Sequence, residues 1–442
     1  MTANSSTPQT TAISGWGGYP VQLAQVIQPS TLSDYKSHLQ QQTSLIARGM
    51  GRSYGDSALA STVLQTTYSD HFLAFDADTG LLSVEAGVTL REILNITVKQ
   101  GWFLPVTPGT SFVTVGGAIA SDVHGKNHHA ASTFGQHVVS ILMMLGTGEV
   151  VTTSPTLLPD LFDATCGGMG LTGMILRAKI QLIPIQSAFI HQKTLKAQSL
   201  EEACAAFEAH SSSTYSVAWI DCLTTGKHLG RSVLMLGEHS ESGGLDLTIK
   251  DPIGIPTHTP ATLLNSVTMR AFNAAYWARA SHNKTQTIPL RPYFYPLDAI
   301  GGWNKLYGKA GFVQYQFVLP KIDGVANMRT LLTEIAQSGA GSFLAVLKQF
   351  GPANPNLLSF PMEGYTLALD FKMTSSVIDL LRKLDSMLID MGGRVYLAKD
   401  AVMEEKSFKT TYTKWQEFES VREKYGAIGK FASAQSKRLG LA

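Results

Sequence analysis

Residues Ala47–Ser57 read ARGMGRSYGDS and follow the apolar start of TSLIARG at residues 43–49. That order predicts a buried strand that ends in a tight glycine turn. Gly49, Gly51 and Gly55 leave much of the turn's backbone bare. It is not a P-loop, because it holds no G-x-x-x-x-G-K-[ST]. Nor is it a G-x-G-x-x-G that opens a helix, since Tyr54, Gly55 and Asp56 read as turn. Backbone this bare allows a ligand to approach closely.

Two more glycine clusters lie downstream. The first is TPGTSFVTVGGAIASDVHGKNHH at 107–129. Here a Pro-Gly-Thr turn precedes Val115-Gly116-Gly117-Ala118 at an expected helix start, where free N–H groups favour anions. The second is TCGGMGLTGMI at 165–175. Three such turns without one nucleotide fingerprint point to a long ligand lying across several loops, and a dinucleotide with its pyrophosphate fits. The plainer reading of the same glycines is tight hairpins. Around them, 31–42 reads as a helix capped near Ser33 or Asp34. Residues 72–88 and 138–154 read as hairpins, 89–101 as a helix and 173–185 as a long strand.

The texture changes after about residue 186. Alternating strands are expected at 215–223, 232–239, 312–321, 343–351 and 365–373, with amphipathic helices at 323–339 and 375–393. Antiparallel strands with helices on one face make an α+β domain. Residues 240–295 have weak periodicity and several prolines, so a mobile loop or lid is expected there. RVYLAKD at 394–400 reads as a strand, 407–425 as one charged helix, and a basic tail follows.

Composition narrows the classes. The chain has 442 residues, 44% hydrophobic and 15% charged, which is globular and long enough for two or three domains. A net charge of +2 gives no support to a nucleic-acid partner. Cys166, Cys204 and Cys222 have no metal or disulfide spacing and read as buried thiols. No run of 18 apolar residues offers a membrane span. MTANSSTPQTTAISGWGGYP lacks a basic start and an apolar core, so it reads as a mobile arm, not a Sec signal. The expected location is cytoplasmic or peripheral at the inner membrane.

ARGMGRSYGDSA, PGTSFVTVGGAIASDVHGKNHH, LFDATCGGMGLTG and GRVYLAKD together resemble the flavoproteins of the vanillyl-alcohol-oxidase type. GFVQYQFVLP, LKQFGP, LSFP and FASAQSKRLGL resemble the branch that acts on polyprenyl-phosphoryl ribose. The resemblance covers almost the whole chain in the right order. HGKNHH and YLAKD are its more specific parts. It implies an FAD domain from 1–186 and 394–442, with a substrate domain at 187–393 inserted between them. The first turn would wrap the FAD pyrophosphate through Ala47, Arg48, Gly49, Met50, Gly51, Arg52, Ser53, Tyr54, Gly55, Asp56 and Ser57. Gly109, Thr114, Val115, Gly116, Gly117, Ser121, Asp122, Val123, His124, Ile175 and Tyr396 would complete the cofactor site.

Many relatives carry a flavin-bonded histidine just after the last glycine of the first loop. Arg52 stands there, so FAD is expected to be held without a covalent bond. The resemblance makes Lys399, His124 and Tyr396 the catalytic candidates. Lys399, read here as part of a strand, would accept a hydroxyl proton once desolvation lowers its pKa, or stabilise reduced flavin as a cation. His124 and His128 stand four apart, but Gly125 follows His124 and no H-E-x-x-H glutamate or third ligand lies near, so no metal is expected. Lys126 would meet a substrate phosphate.

Gln314 and Gln316 alternate with Tyr315 and share a strand face. With Lys348, Thr366 and Asp370, they match positions that line the relatives' sugar-phosphate pocket. For Asp370, a solvated strand residue is the competing reading. Ala368 replaces a cysteine that traps covalent inhibitors in actinobacterial relatives, and Thr366 replaces an asparagine.

The implied activity is oxidation of the 2′-hydroxyl of a polyprenyl-phosphoryl β-D-ribose. A short-chain reductase partner would complete epimerisation to arabinose, and the lipid would bring the chain to a membrane surface. An alditol or aldonolactone oxidase, and a non-catalytic flavin-binding subunit, are the alternatives.

Overall fold

The computed structural model describes residues 10–247, 253–255, 257–259, 265–342 and 344–441. Part of the expected N-terminal arm and part of the 240–295 segment lie outside these residues.

Two sheets carry the glycine loops. One is four-stranded and mixed, in the order Thr10–Ser14, Val21–Ile27, Thr62–Gln65, Ile46–Arg48. Its last strand is the short apolar run that delivers Gly49 to the first turn. The other is antiparallel, in the order Phe72–Asp76, Leu81–Glu85, Met174–Gln181, Val138–Met144, Val150–Thr153. Its apolar face packs on the helix Leu90–Thr97, which buries Leu90, Ile93 and Leu94. Thr89 starts that helix with a capping box to Glu92. Thr114 likewise caps the short helix Val115–Ala120, accepting from Gly117 N.

The third sheet is antiparallel and eight-stranded. Its order is Lys284–Pro289, Phe189–Ala197, Ser232–His239, Tyr215–Ile220, Ala345–Phe350, Gly364–Lys372, Phe312–Pro320, Arg394–Val395. The helices Leu200–Ala209, Gly324–Ser338 and Ser375–Asp390 pack their apolar residues into one core with it. Strand alternation sets the faces. Tyr315 points to the helices and donates to Asp385 at 2.7 Å, while Gln314 and Gln316 point away. The architecture is two-domain α+β: a unit that carries the glycine loops, with an antiparallel-sheet domain inserted in it.

Four local expectations are corrected. Thr31, not Ser33 or Asp34, caps the first helix, with Asp34 closing its capping box. The RVYLAKD strand stops at Val395. Lys399 N and Asp400 N both donate to Tyr396 O, at 2.9 and 3.1 Å, so Lys399 sits on a turn. The competing partner is the first glycine loop, whose Tyr54 N donates to Ala398 O at 3.0 Å. The single charged helix is two helices, Glu405–Thr411 and Trp415–Lys424. Between them Tyr412 turns its hydroxyl to Val395 O at 2.7 Å. Finally, the described part of 240–295 holds the helix Ser266–Arg279 and the sheet-edge strand Lys284–Pro289.

Candidate active site

A cavity of about 940 Å³ opens where the three sheets meet. Its first wall is the turn after Ile46–Arg48, through Ala47, Arg48, Gly49, Met50, Gly51, Arg52, Ser53, Tyr54 and Ser57. Gly51 has φ +61°, a left-handed conformation that strains any L side chain. A Cβ on Gly49 would collide with the Thr114 side chain, so the first two glycine loops touch. The second wall is Gly109, Thr114, Gly116, Gly117, Ser121, Val123, His124 and Lys126, joined by Ile175. Gly109 faces open space within the cavity. Tyr396 and Lys399 come from the turn after Val395, and Gln314, Gln316, Lys348 and Ala368 from the eight-stranded sheet.

Six expected site residues stand one layer behind the lining. Gly55 backs onto the Asp400 carbonyl, which a Cβ would strike. Asp56 turns away to Arg438, whose Nη2 lies 2.6 Å from Oδ1. Val115 is wholly buried in the core beneath the helix it begins. Asp122, at φ 40°, accepts from Gly135 N, Asn354, Asn356 and Ser359 at 2.6–2.9 Å and holds the approach to His124. Thr366 supports Gln316, and Asp370 supports Gln314. Asp370 is buried, so the solvated reading does not hold for it.

The electrostatics at the sheet end are unusual. Lys126, Lys348 and Lys399 are all half-buried there. Burial lowers Lys126 and Lys348 to about 7, with Lys348 repelling Lys126 and Lys399 repelling Lys348. Burial lowers Lys399 to about 8, and the Asp370 carboxylate opposes that fall. The Lys399 ammonium also lies 4.1 Å from the centroid of the Tyr54 ring, a cation–π contact. Asp370 itself is raised to about 7 by burial, against hydrogen bonds from Gln314 at 2.5 Å and Tyr307 at 3.3 Å. His124 is held well below its usual value by burial and by Lys348, so it is neutral.

Lys126 donates to the Tyr293 carbonyl and lies 4.3 Å from that ring's centroid. Tyr396 donates to Ser121 O at 2.7 Å and packs beside His124 with ring centroids 5.1 Å apart. His128 begins the four-residue helix His128–Ala131, whereas His124 lies before it, so the pair does not share a helix. Among the described residues no group of three or more His, Cys, Asp or Glu is placed to hold a metal.

Sequence reasoning missed several lining residues. Trp16 stacks under Arg52, with 4.3 Å from guanidinium carbon to ring centroid. Asp298 reaches from the far segment to Ser111, accepting from its N at 2.8 Å and its Oγ at 2.6 Å. Trp219, Met235 and Val346 line the sheet side. These positions carry no motif. Only the strand period, once the inward face is known, singles out the last three.

Glycine loops around a large cavity, with polar groups and perturbed lysines at one end, define a cofactor-dependent enzyme. The FAD binding domain family model matches residues 24–154, the segment that supplies both of the first two loops. The chain is an FAD-dependent oxidoreductase of the vanillyl-alcohol-oxidase type. It is 36% identical, over 90% of its length and 89% of the relative's, to the decaprenylphosphoryl-β-D-ribose oxidase of Mycolicibacterium smegmatis. It is 30% identical to an uncharacterised protein of Streptomyces coelicolor, over 80% of this chain and the whole of that one. A Δ(24)-sterol reductase of Macaca fascicularis is 29% identical over 37% of this chain and 31% of its own. The chain belongs to the family of FAD-binding oxidoreductases that includes decaprenylphosphoryl-β-D-ribose oxidase. Among the described residues no helix is long and apolar enough to cross a membrane.

Proposed function

We propose that the protein oxidises the 2′-hydroxyl of a polyprenyl-phosphoryl β-D-ribose to the keto sugar, towards an arabinose donor for cell-wall polysaccharide. The observation that carries this reading is the trio of half-buried lysines, Lys126, Lys348 and Lys399, on the cavity that the glycine loops line. The name of the Mycolicibacterium relative supports the substrate class.

The cavity fits FAD. The first two loops present backbone, Gly109 faces open space, and the lining bears Arg48, Arg52 and three lysines against Asp298 as its one carboxylate among the described residues. FAD when bound supplies the acceptor for the hydride that leaves the carbinol carbon. Lys399, as free base, takes the hydroxyl proton at Nζ; as ammonium, it stabilises negative charge on the ring. Lys126 and Lys348 hold the phosphate as point charges. His124 and Gln316 orient the sugar hydroxyl, and Tyr396 fixes the His124 ring by packing.

The cofactor is held without a covalent bond. Arg52 occupies the first-loop position and stacks on Trp16, and His124 Nε2 is engaged by Gln316. The described residues within 1–186 and 394–442 are assigned to the cofactor unit and those within 187–393 to the substrate unit, with the Arg394–Val395 strand at their seam. The keto product needs a hydride donor to become arabinose, and a short-chain reductase partner would take that step. The substrate's lipid makes the membrane contact peripheral. Half-buried cations disfavour a neutral alditol or lactone as substrate, and perturbed lysines on a cavity favour a catalytic role over a non-catalytic subunit.

Product analysis tests the proposal. Reduction of the product with borodeuteride should place one deuterium at C2′ and give ribose and arabinose epimers. Deuterium at any other carbon would refute the assigned position.

A further inference from the structure

The sheet face that presents Gln316 to the cavity continues far beyond it. Register joins Gln316 to Ala368, Ala368 to Val346, Val346 to Trp219 and Trp219 to Val233. Beside that row, Val217 pairs with Met235, Met235 with Thr194 and Thr194 with Lys284. Directly paired residues share a sheet face, so both rows belong to one floor. At about 4.8 Å between strands, the seven strands from Phe312–Pro320 to Lys284–Pro289 span roughly 29 Å.

A second cavity, of about 480 Å³, occupies the outer part of this floor. It shares Gln192, Met235, Phe272 and Tyr276 with the main cavity, so the two form one passage. The roof is the helix Ser266–Arg279. It turns Phe272, Ala275, Tyr276 and Arg279 onto the passage, the i, i+3, i+4, i+7 positions of one helical face. Trp219 and Tyr276 touch, with ring centroids 4.6 Å apart, so the roof meets the floor there and the two cavities join beside them, past Gln192, Met235 and Phe272. From Val346 through Trp219 to Met235 the floor is apolar. Further out, the Gln192 amide is satisfied by Thr194 Oγ1 at 2.9 Å and leaves its methylenes to the floor. Arg279 and Lys284 rim the outer end.

We propose that this passage beneath the helix Ser266–Arg279 holds the hydrocarbon chain of the substrate and leads it from the reacting end to the outer edge of the sheet. The inference rests on the function proposed above and adds where the chain lies. A sugar alcohol without a tail would end near Lys348 and leave the apolar stretch in water. An alkyl or isoprenoid chain fills it by the burial of apolar surface alone, without the directional partners a polar ligand would demand.

The experiment compares two substrates with one headgroup, a polyprenyl-phosphoryl ribose of several isoprene units and a single-prenyl analogue. The readout is kcat/KM for flavin reduction in the wild type and in Ala275→Glu. Ala275 lines the outer cavity alone and lies on an exposed helix position, where glutamate is a good helix former. The wild type should prefer the long chain by tenfold or more. Ala275→Glu should lose that preference and keep its rate on the short analogue within twofold. Equal rates on both chains in the wild type, or a variant that still prefers the long chain, would overturn the passage while leaving the oxidation reading intact. Failure of the wild type to reduce its flavin with either substrate would overturn the oxidation reading itself, and the passage with it. The wild-type chain-length comparison decides the inference even if the variant does not fold.

Discussion

His124 Nε2 stands 2.9 Å from Gln316 Nε2, a contact that, with the Thr366 bonds behind it, sets the tautomer of the histidine. The Gln316 amide also donates to Thr366 Oγ1 at 3.2 Å, and Thr366 spends its own proton on Phe317 O at 2.8 Å. Thr366 must therefore accept from Gln316, which orients the amide nitrogen towards His124. His124 Nε2 accepts, and the proton sits on Nδ1, a buried atom without a hydrogen-bond partner among the described residues. That N–H is free to donate to a bound oxygen. Gln316→Leu should keep FAD and slow flavin reduction about 10–100-fold, the cost of about 1–3 kcal/mol for a disrupted buried hydrogen bond. Anaerobic stopped-flow measures it; an unchanged rate would remove His124 from the chemistry.

Titration of Lys399 and of the phosphate-side lysines should have opposite consequences. Lys399 is lowered to about 8, so its free-base fraction grows as pH rises through 8. Lys126 and Lys348 are lowered to about 7, so their charge is lost as pH rises through 7. The flavin reduction rate at saturation should rise with pH to a plateau above about 8, while KM rises from about 7 upward. Lys399→Met should abolish the rate limb and cost about 10²–10⁴-fold. A rate limb that survives in Lys399→Met belongs to another group.

Arg438 ties the C-terminal helix to both halves of the site. It pairs with Asp56 behind the first glycine loop at 2.6 Å and with Asp400, next to Lys399, at 2.9 Å. Both carboxylates are buried, so deleting the guanidinium leaves two uncompensated acids. Arg438→Met should cost about 3 kcal/mol, the low end for a broken buried pair because the arginine is partly exposed. Urea unfolding of the FAD-loaded protein, compared with Arg438→Lys, checks this. A loss under about 1 kcal/mol would mean that the acids are solvated or protonated without cost.

Ala368 lines the cavity, whereas Cys166, Cys204 and Cys222 are buried elsewhere. A thiol-directed ligand that enters the site should leave the wild type unmodified by intact mass. Ala368→Cys should gain one adduct. An adduct on the wild type would show that one of the native thiols is reachable.

The glycine loops were legible in the sequence because their function demands bare backbone, and bare backbone has a composition. Gln314 and Gln316 were legible because strand period is local. Lys399 was legible only as a residue of YLAKD; its turn was not, since the competing backbone partner, Tyr54, lies far away in the chain. The same holds for Asp56, which reads as a ligand-loop residue until Arg438 is seen to claim it. Asp298, Trp16 and the passage under the helix Ser266–Arg279 depend on contacts between distant segments, and no local pattern announces them.

The most direct test of the central claim is an anaerobic visible spectrum of the FAD-loaded protein before and after a polyprenyl-phosphoryl ribose is added. The expected result is bleaching of the oxidised flavin bands on the timescale of turnover. A bound flavin that stays oxidised with this substrate, yet bleaches with an unphosphorylated alditol, would contradict it.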